Sequence, residues 1–278
     1  MNVLIFSVLI ALGSFAAGLL GSLTGLGGGV IIVPLLTLVF GVDMRYAMGA
    51  SLVSVIATSS GSAAAYVREG YSNVRIGLFL EIATTAGALL GAMIATWVPT
   101  PLLSTILGFV LLHTALTGVR KQATGGIESE THGGRGFLRL DGQMPTAEGP
   151  KSYRARRVPL GFGLMALAGT LSGLLGIGSG AIKVLAMDWA MGLPFKVSTT
   201  TSNFMIGVTA AASAGVYLRN GYIQPGLAMP VMLGVLAGSI LGAKVLISEP
   251  SQRLRTVFRV VIGALAIELI FSGLKGKL

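Results

Sequence analysis

The chain has 278 residues, of which 53% are apolar and only 11% charged, and its mean hydropathy is +0.82. A soluble domain carries about 25% charged residues, so the composition excludes a water-soluble enzyme and describes a polytopic membrane protein. There is no cysteine and only two histidines, which leaves no disulfide framework and no histidine or thiolate metal centre; the net charge of +10 matches the Lys/Arg excess of cytoplasmic loops without nucleic acid.

Residues 3–24 form the first apolar stretch, which runs into Gly25-Leu26-Gly27-Gly28-Gly29. A second, shorter one follows over 29–40, and Gly41-Val42-Asp43-Met44-Arg45 breaks the pattern. Spans are predicted over 46–67, 74–97 and 102–119, with Arg68–Asn73 as a tight turn. Residues 120–157 turn polar and basic, with Arg120, Lys121, Arg135, Arg139, Lys151, Arg154, Arg156 and Arg157, and read as a mobile cytoplasmic linker with no packed pattern. From Val158 the pattern restarts: 158–175, the run Gly176-Ile177-Gly178-Ser179-Gly180, a short stretch over 181–191, a break at 192–196, then spans near 198–217, 226–247 and 256–274. The first residues lack a basic n-region, so a cleaved signal peptide is not expected.

Shifting the chain by 151 residues aligns 25–92 with 176–243 without a gap, and 19 of the 68 positions are identical. That exceeds chance for this composition and marks a duplication. Three regions result: a first membrane repeat over 1–119, the linker over 120–157 and a second repeat over 158–278. The expected fold is all-α, each repeat holding a Gly-tipped broken or re-entrant helix pair and then three transmembrane helices. An odd number of crossings per repeat inverts the second relative to the first, and an even number keeps them parallel. Loop charge leans slightly toward inversion, as does transporter architecture, where inverted repeats bring helix breaks together at the midplane.

A dozen apolar residues do not cross a bilayer as a helix. Backbone that leaves the helix at membrane depth survives only inside protein or beside a polar cavity. Each glycine run therefore reads as the tip of a broken segment whose new helix offers free N–H donors and a positive dipole end to an anion. Glycines that only let helices pack closely are the competing explanation. The string Gly176–Ala181 also fits a loose dinucleotide pattern, but without a βαβ context. Ser179 has no base in a matching segment, so a serine protease is not supported, and no enzyme activity is expected.

The strings Gly25–Leu35, Ala47 and Ala50-Ser51-Leu52, with Gly176–Gly180 and Thr200-Thr201-Ser202-Asn203, resemble the motifs of the sulfite exporter family named for its TauE and SafE members. The similarity covers about 3–119 and 158–274. Two departures from it stand out: Ser179 replaces the middle glycine, and Lys183 with Leu185 replaces the apolar-then-proline pattern of the first copy. The resemblance implies a multi-pass permease of the bacterial inner membrane for sulfite, an organosulfonate or another small sulfur anion. An anion channel and a transporter of an unrelated small anion are the alternatives. Its expected partners are that anion, the bilayer and, where protomers pair, further copies of the chain.

The candidate substrate-binding residues are Gly27, Gly28, Gly29 and Ser51 in the first half and Gly178, Ser179, Gly180, Lys183, Thr201, Ser202 and Asn203 in the second. Lys183 and Asp188 have the neutral counterparts Ile32 and Thr37 in the first repeat. A charge at membrane depth is functional by default, so Lys183 is expected to attract the anion, with a Lys183–Asp188 pair as the structural alternative. Glu81 lies mid-span with no charged neighbour in sequence and is the proton-coupling candidate, its alternative being an interhelical hydrogen bond. The small-residue stripes Gly87-Ala88-Leu89-Leu90-Gly91 and Gly234, Gly238 and Gly242 are assigned to helix packing.

Overall fold

The computed structural model describes residues 3–22, 29–68, 72–117, 140–146, 149–178, 180–248 and 251–276. The first helix, α1, covers Val3–Ser22. It is followed by the short α2 over Gly29–Pro34, which widens into a π-helical turn over Leu35–Val39. Three long helices come next: α3 over Met44–Arg68, α4 over Val74–Trp97 and α5 over Thr100–Thr117. After the hairpin described below, the same succession returns as α6 (Val158–Leu175), α7 (Gly180–Leu185) with its π turn (Ala186–Ala190), α8 (Phe195–Arg219), α9 (Pro225–Ser248) and α10 (Ser251–Leu274).

The predicted spans coincide with these helices to within a few residues, except that α10 starts five residues earlier, through Arg253 and Arg255. By length and apolarity Val74–Trp97 and Val158–Leu175 each suffice to cross a membrane. The packing is inside-out relative to a soluble protein. Leu78, Ile82, Leu90, Met93 and Trp97 of α4 face outward, whereas Gly77, Glu81, Thr84, Gly87 and Gly91 of the same helix are buried. Lipid supplies no hydrophobic drive between helices, so small residues that let backbones meet take the inner face.

The pairings exchange elements between the halves. Helix α1 packs on α9 and α6 on α4, while α5 packs on α10 and α3 on α8. In the α4–α6 contact an added Cβ at Gly87, Gly91, Gly169 or Gly173 would strike the carbonyl oxygens of Ala166, Thr170, Thr84 and Ala88 respectively. In the α1–α9 contact Gly18, Gly234 and Gly238 meet the carbonyls of Val235, Ala11 and Phe15 in the same way. These stripes are packing surfaces, and glycine is required there for want of room.

Each short helix folds back along the one before it. The rings of Phe6 and Phe40 meet edge to face at 6.1 Å, so the chain leaving the first π turn has returned beside the start of α1. In the second half Arg156 N–H donates to Met191 O at 2.8 Å, closing the α6–α7 hairpin at its base. The π turns do not come from proline. Pro34 precedes the first, yet Leu185 holds that place before the second. Each ends at a left-handed glycine, Gly41 (φ +63°) and Gly192 (φ +68°). There Val42 N–H reaches back to Leu36 O and Leu193 N–H to Met187 O, both at 3.0 Å, a helix-ending turn one residue wider than the usual Schellman closure.

The linker is not pattern-free. Strand β1 (Asp141–Thr146) pairs antiparallel with β2 (Gly149–Arg154), Asp141 opposite Arg154. Pro145 and Pro150 face each other next to the turn, which a two-stranded ribbon tolerates because each strand has a free edge. Leu140 is buried in one apolar cluster with Ile76, Leu80, Met187 and Leu193. Tyr153 Oη accepts from Asn73 Nδ2 at 2.9 Å, and Asn73 Oδ1 in turn caps α4 by accepting from Ile76 N–H at 3.0 Å. Burial pushes the Tyr153 hydroxyl above its ordinary pKa, against a smaller lowering by Asn73, so it titrates far above neutral pH. Among the described residues the expected all-α fold thus carries one docked β-hairpin, while 120–139 and 147–148 of the linker lie outside them.

Candidate functional site

The site is built from the two chain breaks. Helix α6 ends at Gly176, which adopts φ +67° and donates its N–H to Ser172 O at 2.9 Å. Gly178 follows at φ +76°, a conformation that costs any other residue about 1–2 kcal/mol. Helix α7 then starts at Gly180, so the backbone reverses within four residues. Gly27, Gly28 and Ser179 lie outside the described residues; the first break is seen from Gly29, where α2 starts.

The two breaks meet. An added Cβ on Gly29 would lie 3.3 Å from the carbonyl oxygen of Ile177, in the middle of the other tip. Ser51 of α3 spans both: its Oγ lies 2.8 Å from Gly176 O and 3.3 Å from Gly29 O. Ser202 of α8 holds the equivalent place in the second half, 3.2 Å from Gly180 O. Tyr217, fully buried, turns its hydroxyl to Gly173 O at 3.1 Å and so satisfies one of the carbonyls that the end of α6 leaves open. The start of each short helix is left with first-turn amides, at Gly29, Val30 and Ile31 and at Gly180, Ala181 and Ile182.

Lys183 stands one turn beyond Gly180 and is wholly buried. Helical side chains lean toward the N-terminus of their helix, which turns this ammonium back toward the tip. Its Nζ donates to Thr209 Oγ1 of α8. Thr209 Oγ1 lies 2.6 Å from Glu81 Oε1 of α4, which also accepts from Thr85 Oγ1 at 3.1 Å. Glu81 is buried as well, and its second oxygen, Oε2, has no hydrogen-bond partner among the described residues. The lysine and the glutamate, read separately in the sequence, thus form one chain through a threonine. The interhelical hydrogen bond considered for Glu81 is present. The Lys183–Asp188 alternative does not describe Lys183, because Asp188 lies on the exposed side of its π turn.

Thr201 is buried one residue before Ser202, and its Oγ1 accepts the N–H of Asn73 at 3.0 Å, at the start of α4 and away from the tips. Asn203 is half-buried beside Ser202. Thr209 and Tyr217 were not legible as site residues. Their one signal was identity with Thr58 and Tyr66 across the repeat, which marks a shared position and not a role.

The protein-family comparison matches residues 10–269 to the family described as Sulfite exporter TauE/SafE. "Probable membrane transporter protein YunE" of Bacillus subtilis (strain 168) is 28% identical over 97% of this chain and 98% of its own. "Probable membrane transporter protein ORF9" of Sinorhizobium sp is 26% identical over 92% of this chain and 89% of its own. An archaeal relative, "Probable membrane transporter protein MJ0441" of Methanocaldococcus jannaschii, is 24% identical over 96% of both. No solved structure matches the chain.

Proposed function

The chain belongs to the sulfite exporter TauE/SafE family of membrane transporters, and from that premise we propose that it is a secondary permease for a small sulfur-containing anion such as sulfite or an organosulfonate. The supporting observation is the meeting of the two helix breaks at Gly29 and Ile177, bridged by Ser51, with the buried cation of Lys183 one turn away. The short helices continue through their π turns to Val39 and Ala190, so each aims a dipole of about three turns at the tip region. The anion sits against the first-turn amides, and the rest of the site is Ser51, Ser202 and Lys183, with Thr201 and Asn203 at its linker-side approach.

Alternating access follows from two halves that rock about this point. Because each glycine-tipped pair folds back as a hairpin, three further helices give each half an odd number of crossings, and the repeats are inverted across a bacterial inner membrane. With the linker inside, Asn220 then lies outside; a membrane-impermeant thiol reagent should label Asn220→Cys in intact cells, and protection there would contradict the inversion. The transport reading is tested in proteoliposomes with labelled sulfite. Unlabelled anion on the far side should accelerate uptake, as exchange requires. Flux that neither saturates nor shows counterflow would identify a channel.

A further inference from the structure

Glu81 has no role in holding the anion itself, and its equivalent in the other half is Met232. Lys183 likewise faces Ile32 across the repeat. A matched pair of charges, one from each half, has therefore been placed at only one of the two repeat-related sites, at full burial, with a hydroxyl between them. Burying ions costs more than most pairs return, so stability alone does not account for the arrangement. We propose that Thr209 couples the two, so that arrival of a monovalent anion at Lys183 makes Glu81 take up one proton; this rests on the permease reading above.

The geometry supplies two states for one hydrogen. Thr209 Oγ1 accepts from Lys183, and its single proton has two acceptors in reach: Glu81 Oε1 at 2.6 Å and Met205 O, one turn back in its own helix, at 3.0 Å. With Glu81 ionised the proton points to the carboxylate. With Glu81 protonated it turns to Met205 O, the bond that the equivalent Thr58 makes to Ser54 O at 3.0 Å. The unpartnered Oε2 is the atom that receives the proton. Charge then balances in both states. The empty centre holds Lys183 positive and Glu81 negative. The loaded centre holds Lys183 positive, the anion negative and Glu81 neutral. Loading without a proton would leave a net negative charge in a low-dielectric interior, which strongly disfavours it.

Among the described residues, no other charged group faces Glu81 from the elements around it. Helix α6 carries no ionisable side chain. On α8 Lys196 and Arg219 lie at the two exposed ends, Arg75 is exposed at the start of α4, and Asp188 is exposed on the π turn after α7. Lys183 is thus the charge that governs this carboxyl. The substrate class narrows accordingly to monoanions, a bisulfite or a monosulfonate, moved together with one proton and without net charge.

The test uses purified full-length protein in weakly buffered detergent with a pH indicator. Methanesulfonate, a monoanion that does not itself titrate, is the probe for proton uptake; bisulfite, which exchanges protons with sulfite near neutral pH, is a binding probe only. Wild-type protein should take up about one proton per anion bound, and affinity for methanesulfonate should fall about tenfold per pH unit where the empty protein holds Glu81 ionised. Glu81→Gln should bind with no proton uptake and no such pH dependence. Thr209→Val should lose most of the uptake, while Thr209→Ser restores it; equal thermal stability of the two Thr209 variants separates coupling from misfolding. Wild-type binding without proton uptake, or undiminished uptake in Glu81→Gln, overturns the coupling and leaves the permease reading intact. If neither probe binds, the permease reading for sulfur monoanions fails, and the coupling with it.

Discussion

Lys183→Met is expected to abolish transport and destabilise the protein, and adding Glu81→Met should return the stability without the transport. The lysine is fully buried and linked through Thr209 to a buried carboxylate. Removing it leaves that carboxylate uncompensated, at a cost of about 3–5 kcal/mol when one partner of a buried pair is lost. Taking both charges away leaves apolar side chains of similar length, and such replacements are close to neutral or stabilising. The repeat-equivalent positions already carry apolar side chains: Ile32, fully buried, for Lys183 and Met232 for Glu81. Anion flux has no such rescue, since the cation at the tip is gone from both variants. Flux in proteoliposomes should fall by about a hundredfold, the equivalent of losing roughly 3 kcal/mol of interaction with the anion. Thermal unfolding in detergent reads the stability arm. Lys183→Met protein with wild-type flux would remove the lysine from the site.

Gly29→Ala is the second large effect, and it acts through space instead of charge. The new methyl would lie 2.6 Å from a Val55 methyl, 3.0 Å from Ser51 Oγ and 3.3 Å from Ile177 O. Val55 can turn away. The Ser51 hydroxyl can do so only by giving up Gly176 O, and the Ile177 carbonyl only by moving the second tip. Overpacking of this kind costs about 1–3 kcal/mol, and here it falls on the contact between the breaks. Transport should drop at least tenfold, with a smaller loss of thermal stability. Gly163→Ala is the control, because nothing lies within 4 Å of an added Cβ there. Filling that helical position should leave flux alone and, if anything, stabilise by about 1 kcal/mol. Equal flux in the two variants would mean that the tips do not need their close approach.

What the sequence disclosed and what it hid differ for physical reasons. The two glycine breaks and the shortness of the stretch after each were legible because they are local. The hairpin form of each pair could only be offered as one of two counts; the ring contact of Phe6 with Phe40 and the bond from Arg156 to Met191 are what fold the arms together. Lys183 stood out as a charge where its repeat partner is isoleucine, and so did Glu81 as a lone mid-span carboxyl. Their connection did not, because 102 residues separate them and the link is a threonine that any membrane helix might carry. The strand pair at 141–154 was missed since it shows no alternation of apolar and polar residues; what anchors it is Leu140 at one end and the Tyr153 hydroxyl on Asn73. Thr201 was grouped with Ser202 by adjacency, yet one step along a helix turns a side chain by about 100°, enough to send one to α4 and the other to the tip.

The central claim is that main-chain amides at two meeting helix breaks receive one anion. Selenite is the electron-dense counterpart of sulfite, and crystals grown with it can be read at the selenium edge. Anion binding at the breaks requires one ordered selenium site whose oxygens lie within roughly 3 Å of amide nitrogens at 29–31 or 180–182, on the side facing Lys183. An ordered selenium site elsewhere in the membrane region, with those amides left bare, would contradict it.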